Sequence, residues 1–303
     1  MGELPKNQAE ETRDGIVSAL IAYLIWGVLP VYFKLVATVP PLEVLTHRVI
    51  WAVPFGALII LARKQGGDVR RALTHPKMLA FLTLSAVMIA INWLIYIVAV
   101  QQSQIFQASL GYYINPLMYV LVGVFFLGET LRPLQLIAVL FAAVGVAVLT
   151  YSGGTFPWIA LSLAVLFTIY GVIRKKIVIG GMAGLFVETL VLLPIAAVYW
   201  VWLAGTGQSA FFSGSLGASG LLVLAGPLTV LPLLFFALAA RRLPLSLIGF
   251  LQFIAPTLQF IMGVLYGEIL TTAHIVCFGL IWTAVALFIY DIWRRPADQA
   301  QAA

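Results

Sequence analysis

Apolar runs of about twenty residues, the length that crosses a ~30 Å hydrocarbon core as a helix, recur along the whole sequence. Broken by Gly, Pro and charge, ten of them fall near residues 15–34, 43–62, 78–100, 105–127, 132–151, 156–173, 182–203, 217–239, 245–266 and 271–292. The connections are short and leave no room for a soluble domain. With 62% of residues hydrophobic and 9% charged, against roughly 25% charged in a soluble chain, the pattern predicts an all-α integral membrane protein of ten transmembrane helices.

The pattern also repeats. GYYINPLMYVLVGVFFLGE, Gly111 to Glu129, returns as LQFIAPTLQFIMGVLYGE, Leu251 to Glu268. A shift of 140 residues pairs Ile114 with Ile254, Pro116 with Pro256 and Gly123-Val124 with Gly263-Val264. Further off, Trp26-Gly27-Val28 matches Tyr170-Gly171-Val172, and Pro54 matches Pro194. The expected organisation is a cytoplasmic tail at 1–14, a first repeat at 15–151, a second at 152–293 and a cytoplasmic tail at 294–303. Five helices per copy is odd, so the second copy enters the bilayer from the other side. The prediction is two inverted five-helix repeats about a pseudo-two-fold axis in the membrane plane, as in many secondary transporters.

Charge tests the helix count. With the N-terminus inside, the inner segments carry fifteen of the seventeen basic residues: Lys6 and Arg13; Arg63, Lys64, Arg70, Arg71 and Lys77; Arg132; Arg174, Lys175 and Lys176; Arg241 and Arg242; Arg294 and Arg295. The predicted outer loops carry none. Such asymmetry puts both termini in the cytoplasm. It also accounts for the net charge of +6 without a nucleic-acid partner. The polar first fourteen residues have no signal-peptide core. A single cysteine, Cys277, excludes an internal disulfide and a multi-cysteine metal site. There is no GxxxxGK[ST] loop, no HExxH helix and no Gly-x-Ser-x-Gly elbow. No enzyme activity, cofactor or metal is therefore expected, and transport would be driven by an ion or solute gradient.

Ionisable groups inside a membrane cost at least a few kcal/mol and ask for a reason. His47 and Arg48 lie about six residues, or ~9 Å, into the second run from the outer side; Glu188 lies as deep in the seventh from the inner side. Arg48 and Glu188 each stand six residues before a matched proline, so they occupy equivalent repeat positions. They are read as coupling or gating groups whose extended side chains would nearly meet if their helices face each other. The structural alternative is an ion pair with a snorkelling Arg48. Pro116 and Pro256 sit inside the fourth and ninth runs as candidate hinges, freeing the carbonyls of Tyr112 and Gln252. Around them cluster Gln107, Tyr112, Tyr113, Asn115, Gln252 and Gln259, with Asn92, Trp93 and Tyr96 on the third run. These nine are the candidate substrate-binding residues of a mid-membrane pocket for an aromatic or amphipathic solute. The alternative is that the kinks aid packing and the amides join helices. Glu129 and Glu268, after Gly in tight turns, read as structural acids near helix N-termini.

PLEVLTHRVIW (Pro41 to Trp51), SLGYYINPLMYVLVGVFFLGE (Ser109 to Glu129), GPLTVLPLLFFALAARRLPLS (Gly226 to Ser246) and LIGFLQFIAPTLQF (Leu247 to Phe260) resemble, in this order, the EamA family of the drug/metabolite transporter superfamily, and within it the RarD group. The similarity runs from Gly15 to about Arg294. It implies a ten-helix inverted-repeat carrier in a bacterial inner membrane. It also implies a cavity lined by helices 1, 3, 4, 6, 8 and 9, with 5 and 10 peripheral. Superfamily relatives export amino acids, metabolites or drugs, and the RarD group is named for suspected chloramphenicol handling. The partners expected are a small-molecule solute, the lipid bilayer and a proton as candidate coupling ion, with the protein a monomer or homodimer.

Overall fold

The computed structural model describes residues 6–127, 132–153, 156–213, 215–243, 247–248 and 251–293. Glu129, Arg294 and Arg295 lie outside the described residues. Within them all regular structure is helical: α1 (Lys6–Leu35), α2 (Pro41–Ala62), α3 (Gly66–Thr74), α4 (Pro76–Gln101), α5 (Ile105–Leu127), α6 (Pro133–Gly153), α7 (Trp158–Lys175), α8 (Gly181–Gly205), α9 (Ala210–Ser213), α10 (Leu216–Ala240), α11 (Ile254–Leu265) and α12 (Thr272–Trp293). Eight of these, α1, α2, α4, α6, α7, α8, α10 and α12, contain stretches long and apolar enough to cross a membrane. The chain is a multi-pass membrane protein. α5 runs 23 residues over the fourth apolar run.

Local chemistry sets several helix starts. Pro41 and Pro76 open α2 and α4, where a missing N–H loses no intrahelical bond. The His75 ring accepts from Met78 N at 3.3 Å, and Ser215 Oγ accepts from Ala218 N at 3.2 Å, satisfying N–H groups that the first turn leaves free. α3 is an element that the apolar pattern leaves as loop. It buries Val69 and Ala72 against α4 and α8 while Asp68, Arg70 and Arg71 face out.

The ninth run departs most from expectation. Gln252 N still bonds Ile248 O at 2.9 Å, but the helix breaks at Gln252–Phe253 and α11 starts at Ile254. Pro256 is thus the third residue of a twelve-residue helix, in a first turn where no N–H is missed. Pro116, its sequence equivalent, sits in the interior of α5. Two prolines that match in sequence have different structural consequences.

Packing brings distant helices together. α1 packs on α10 and α11; α7 packs on α4 and α5; α2 packs on α8 and α10; α4 also meets α8, and α5 meets α11. α6 and α12 pack chiefly on each other and touch the rest mainly through α5. Arg132 Nη1 and Asp291 Oδ2, 3.1 Å apart, tie the start of α6 to the end of α12. Gly226 lets α10 and α2 cross nearly backbone to backbone, because a Cβ there would overlap the main-chain carbonyl of Trp51. That close crossing sets Thr229, one turn on, beside Arg48.

Candidate functional site

Arg48 and Glu188 each lie seven residues, about 10 Å, past the first residue of α2 and α8. Both are buried, at 6% and 0% exposure. Arg48 Nε donates to Thr229 Oγ1 at 2.8 Å. Its guanidinium stands 4.1 Å from the Trp93 ring centroid and 5.8 Å from that of Phe33. Glu188 accepts from Ser85 Oγ at 2.6 Å and from Tyr170 OH at 3.4 Å. Arg174 Nη1 is 3.7 Å from Glu188 Oε1, an electrostatic pairing longer than a hydrogen bond. The two charges, then, have separate partners. The direct Arg48–Glu188 closure considered from sequence is not formed, although α2 and α8 do pack together.

Aromatic rings join them. From Phe33, Tyr96 lies 5.7 Å away, Tyr112 a further 5.7 Å, Phe167 a further 5.9 Å and Tyr170 a further 6.0 Å, centroid to centroid. Tyr112 OH donates to Asn92 Oδ1 at 3.3 Å, and Asn92 Nδ2 donates to Leu163 O at 3.0 Å. A wall of rings and one amide therefore runs from a buried cation to a buried anion. Such spacing suits ring contacts of the offset and edge-to-face kind. A desolvated cation–π contact contributes about 2 kcal/mol or somewhat more, against the several kcal/mol that desolvating an unpaired ion costs. Glu188 has Arg174 to offset that cost; among the described residues Arg48 has no carboxylate at ion-pair distance.

The other predicted residues are dispersed. His47 is fully buried; its Nδ1 accepts from Trp51 Nε1 at 3.3 Å, which leaves the ring proton on Nε2, 3.8 Å from Glu43 Oε1. The ring stacks on Phe211 at 5.1 Å. Glu43 Oε1 accepts from Ser209 Oγ and Ala210 N, at 2.9 and 2.8 Å, so this group pins the α8–α10 connection over the start of α2. Tyr113 OH meets Thr257 Oγ1 at 2.6 Å in a separate aromatic cluster with Phe253, Phe278 and Trp282. Gln259 Nε2 donates to Trp26 O at 3.2 Å, tying α11 to α1, and Gln107 Nε2 reaches Gln104 Oε1 at 3.4 Å. Asn115 is buried with Oδ1 unpartnered among the described residues, and Gln252 is half-buried beside the helix break. A cavity of about 400 Å³ lies elsewhere, lined by Val148, Ser152, Thr271, Thr272, Ala273 and Val276 on the α6–α12 pair. No charged residue lines it, and it carries no functional reading.

Sequence reasoning missed Thr229, Ser85, Phe167, Tyr170 and Arg174 as site residues. Tyr170 and Arg174 are four apart on one helix and hence on one face, which was a readable signal. Glu268 behaves differently from expectation. Its carboxylate accepts from the backbone N–H groups of Ile105 and Phe106 and so caps α5, not the helix that follows it. Burial raises its pKa, against the pull of those two donors and of Lys34.

Fold and site describe a multi-pass bundle with a charged, ring-lined interior, which is the form of a membrane transporter. The EamA-like transporter family matches residues 13–151. The RarD protein of Salmonella typhi is 46% identical over 284 residues, covering 93% of this chain and 97% of that one. An uncharacterized transporter of Pseudomonas aeruginosa is 42% identical over 285 residues, covering 93% and 95%. A crystal structure superposes with a TM-score of 0.61 at 20% identity, over 93% of this chain and 99% of the other, a likeness of fold alone. The chain belongs to the EamA-like transporter family, in its RarD group, and is a membrane transporter.

Proposed function

We propose that this protein is a secondary active transporter of ten membrane crossings. In this reading it exports small amphipathic or aromatic solutes, metabolites, amino acids or drugs, by alternating access of two inverted five-helix repeats. Both termini are cytoplasmic and the membrane is the bacterial inner membrane. The observation that carries the reading is the symmetry of the packing. Exchanging α1 with α7, α2 with α8, α4 with α10, α5 with α11 and α6 with α12 turns the α1–α10 contact into α7–α4. It turns α2–α10 into α8–α4 and α1–α11 into α7–α5, and it leaves α2–α8, α5–α11 and α6–α12 unchanged. Even the charge partners follow it, since a hydroxyl of α10 meets Arg48 and a hydroxyl of α4 meets Glu188. Two packings related this way supply the two equivalent states that rocking one repeat against the other needs.

The solute is assigned to the ring wall between the two charges, with Asn92, Trp93, Tyr96 and Tyr112 in contact with it. Glu188 is assigned to proton coupling and Arg174 to holding its charged form. Pro116 and the break before Pro256 supply the flexing points. Purified protein in proteoliposomes, loaded with phenylalanine, tryptophan or chloramphenicol, tests this by counterflow. Saturable uptake of the labelled solute, accelerated by unlabelled solute inside, is the expected result. Non-saturable flux indifferent to internal solute would replace the carrier with a passive channel.

A further inference from the structure

We propose that the solute carries a carboxylate, and that Arg48 is its counter-charge while Trp93 and Tyr112 hold its ring or apolar body. This rests on the transporter reading of the same site and narrows it. Arg48 has five N–H donors in a planar fork, of which only Nε–H is taken among the described residues, by Thr229. The buried acids nearest in sequence or in the repeat are engaged elsewhere: Glu43 by Ser209 and Ala210, Glu188 by Ser85, Tyr170 and Arg174. Of two charges at equivalent repeat positions, one has an opposite charge from the protein and the other has rings and a hydroxyl. A guanidinium fork left open at one end of an aromatic wall matches the two oxygens of a carboxylate. Tyr96 adds a second polar contact. It is 3% exposed, its hydroxyl has no hydrogen-bond partner among the described residues, and its ring lies 5.7 Å from that of Phe33, which the Arg48 guanidinium also faces. Buried polar groups of this kind reject ligands that leave them unpaired. The wall favours a ring-bearing acid over a small inorganic anion, since only a ring gains from stacking and edge contacts.

The test uses the full chain in detergent and three ring-matched probes: indole-3-acetate, indole-3-acetamide and tryptamine, with 3-phenylpropionate and its amide as a second set. Binding is read by radioligand displacement and by thermal shift. The acids are expected to bind about tenfold or more tighter than the amides or the amine, the difference that a charge-assisted bidentate contact supplies. Arg48→Gln should erase that preference while leaving amide binding in place, and Arg48→Lys should restore part of it. Equal binding of acid and amide by the wild type overturns the proposal, as does a preference that survives Arg48→Gln or a failure of every acid to bind. Should Arg48→Gln not fold, Tyr96→Phe removes one hydroxyl only. The acids should then weaken severalfold and the amides stay put; equal weakening overturns the proposal. Saturable counterflow of neutral solutes with no acid preference would sink the anion assignment and spare the carrier. Acid binding without saturable counterflow of any solute would do the reverse.

Discussion

Glu188 sits where a titrating group would couple best, at the meeting point of α4, α7 and α8, held by Ser85, Tyr170 and Arg174. Glu188→Gln keeps the size and one acceptor but cannot release a proton. It is expected to abolish gradient-driven uptake while counterflow persists; if both persist, the coupling role is wrong. Gly184 offers an independent handle. A Cβ there would collide with the guanidinium of Arg174, so Gly184→Ala should push Arg174 off the carboxylate. Arg174→Gln removes one partner of a buried pair and is expected to cost up to roughly 3 kcal/mol of stability. Gly184→Ala should cost less, and the double variant should lose no more than Arg174→Gln alone, since both act on one contact. Thermal unfolding of the three proteins measures this. The charges themselves were legible in the sequence because a charge in an apolar run stands out. Their partners were not: Thr229 is 181 residues from Arg48, and Ser85 is 103 from Glu188. Hydroxyls that far away look like any other small helix residue until the helices are packed.

Helices were legible in the same uneven way. Long apolar runs gave the positions of α1, α2, α4 to α8, α10 and α12, because lipid leaves no other way to satisfy the backbone. The amphipathic α3 and the break before α11 were not, since neither changes the count of apolar residues. Close crossings also leave little trace in one sequence, and Gly226 is the sharpest case. Gly226→Val would force a side chain against the rigid backbone of Trp51, and overpacking of this kind costs about 1–3 kcal/mol. It should also separate Thr229 from Arg48, so its loss in thermal stability is expected to meet or exceed that of Thr229→Val. Glu268 acts between elements too. Since burial raises its pKa above the ordinary 4.5, the folded chain holds that proton more tightly than the unfolded one. Its contribution is full below the ordinary value and declines as pH rises through the raised one. Glu268→Gln should flatten that part of the melting-temperature profile above pH 4.5, and an unchanged profile would mean that the cap titrates as in the unfolded chain.

For the molecule as a whole, the reading depends on parity: each crossing reverses the side on which the next connection emerges. α11, at twelve residues or about 18 Å, does not by itself span a ~30 Å core. A crossing there needs the described helical residues before the break, 247, 248 and 251, as well. Cys277 makes this testable, because it is fully buried between α6 and α12 and Cys277→Ala leaves a cysteine-free background. Single cysteines at exposed positions then report sidedness through a membrane-impermeant maleimide on intact spheroplasts. Gln102→Cys, Gln208→Cys and Ile269→Cys, in connections without basic residues, should label from outside. Arg70→Cys on α3 and Lys176→Cys after α7 should label only once the membrane is opened. Labelling at Gln102 and Gln208 with protection at Ile269 would mean that α11 re-enters without crossing. The count would then be nine, the second copy would no longer mirror the first, and the pseudo-two-fold rocking of two repeats would have to be given up. Labelling of all three is the pattern that ten crossings require, and it sets Arg48 toward one face and Glu188 toward the other.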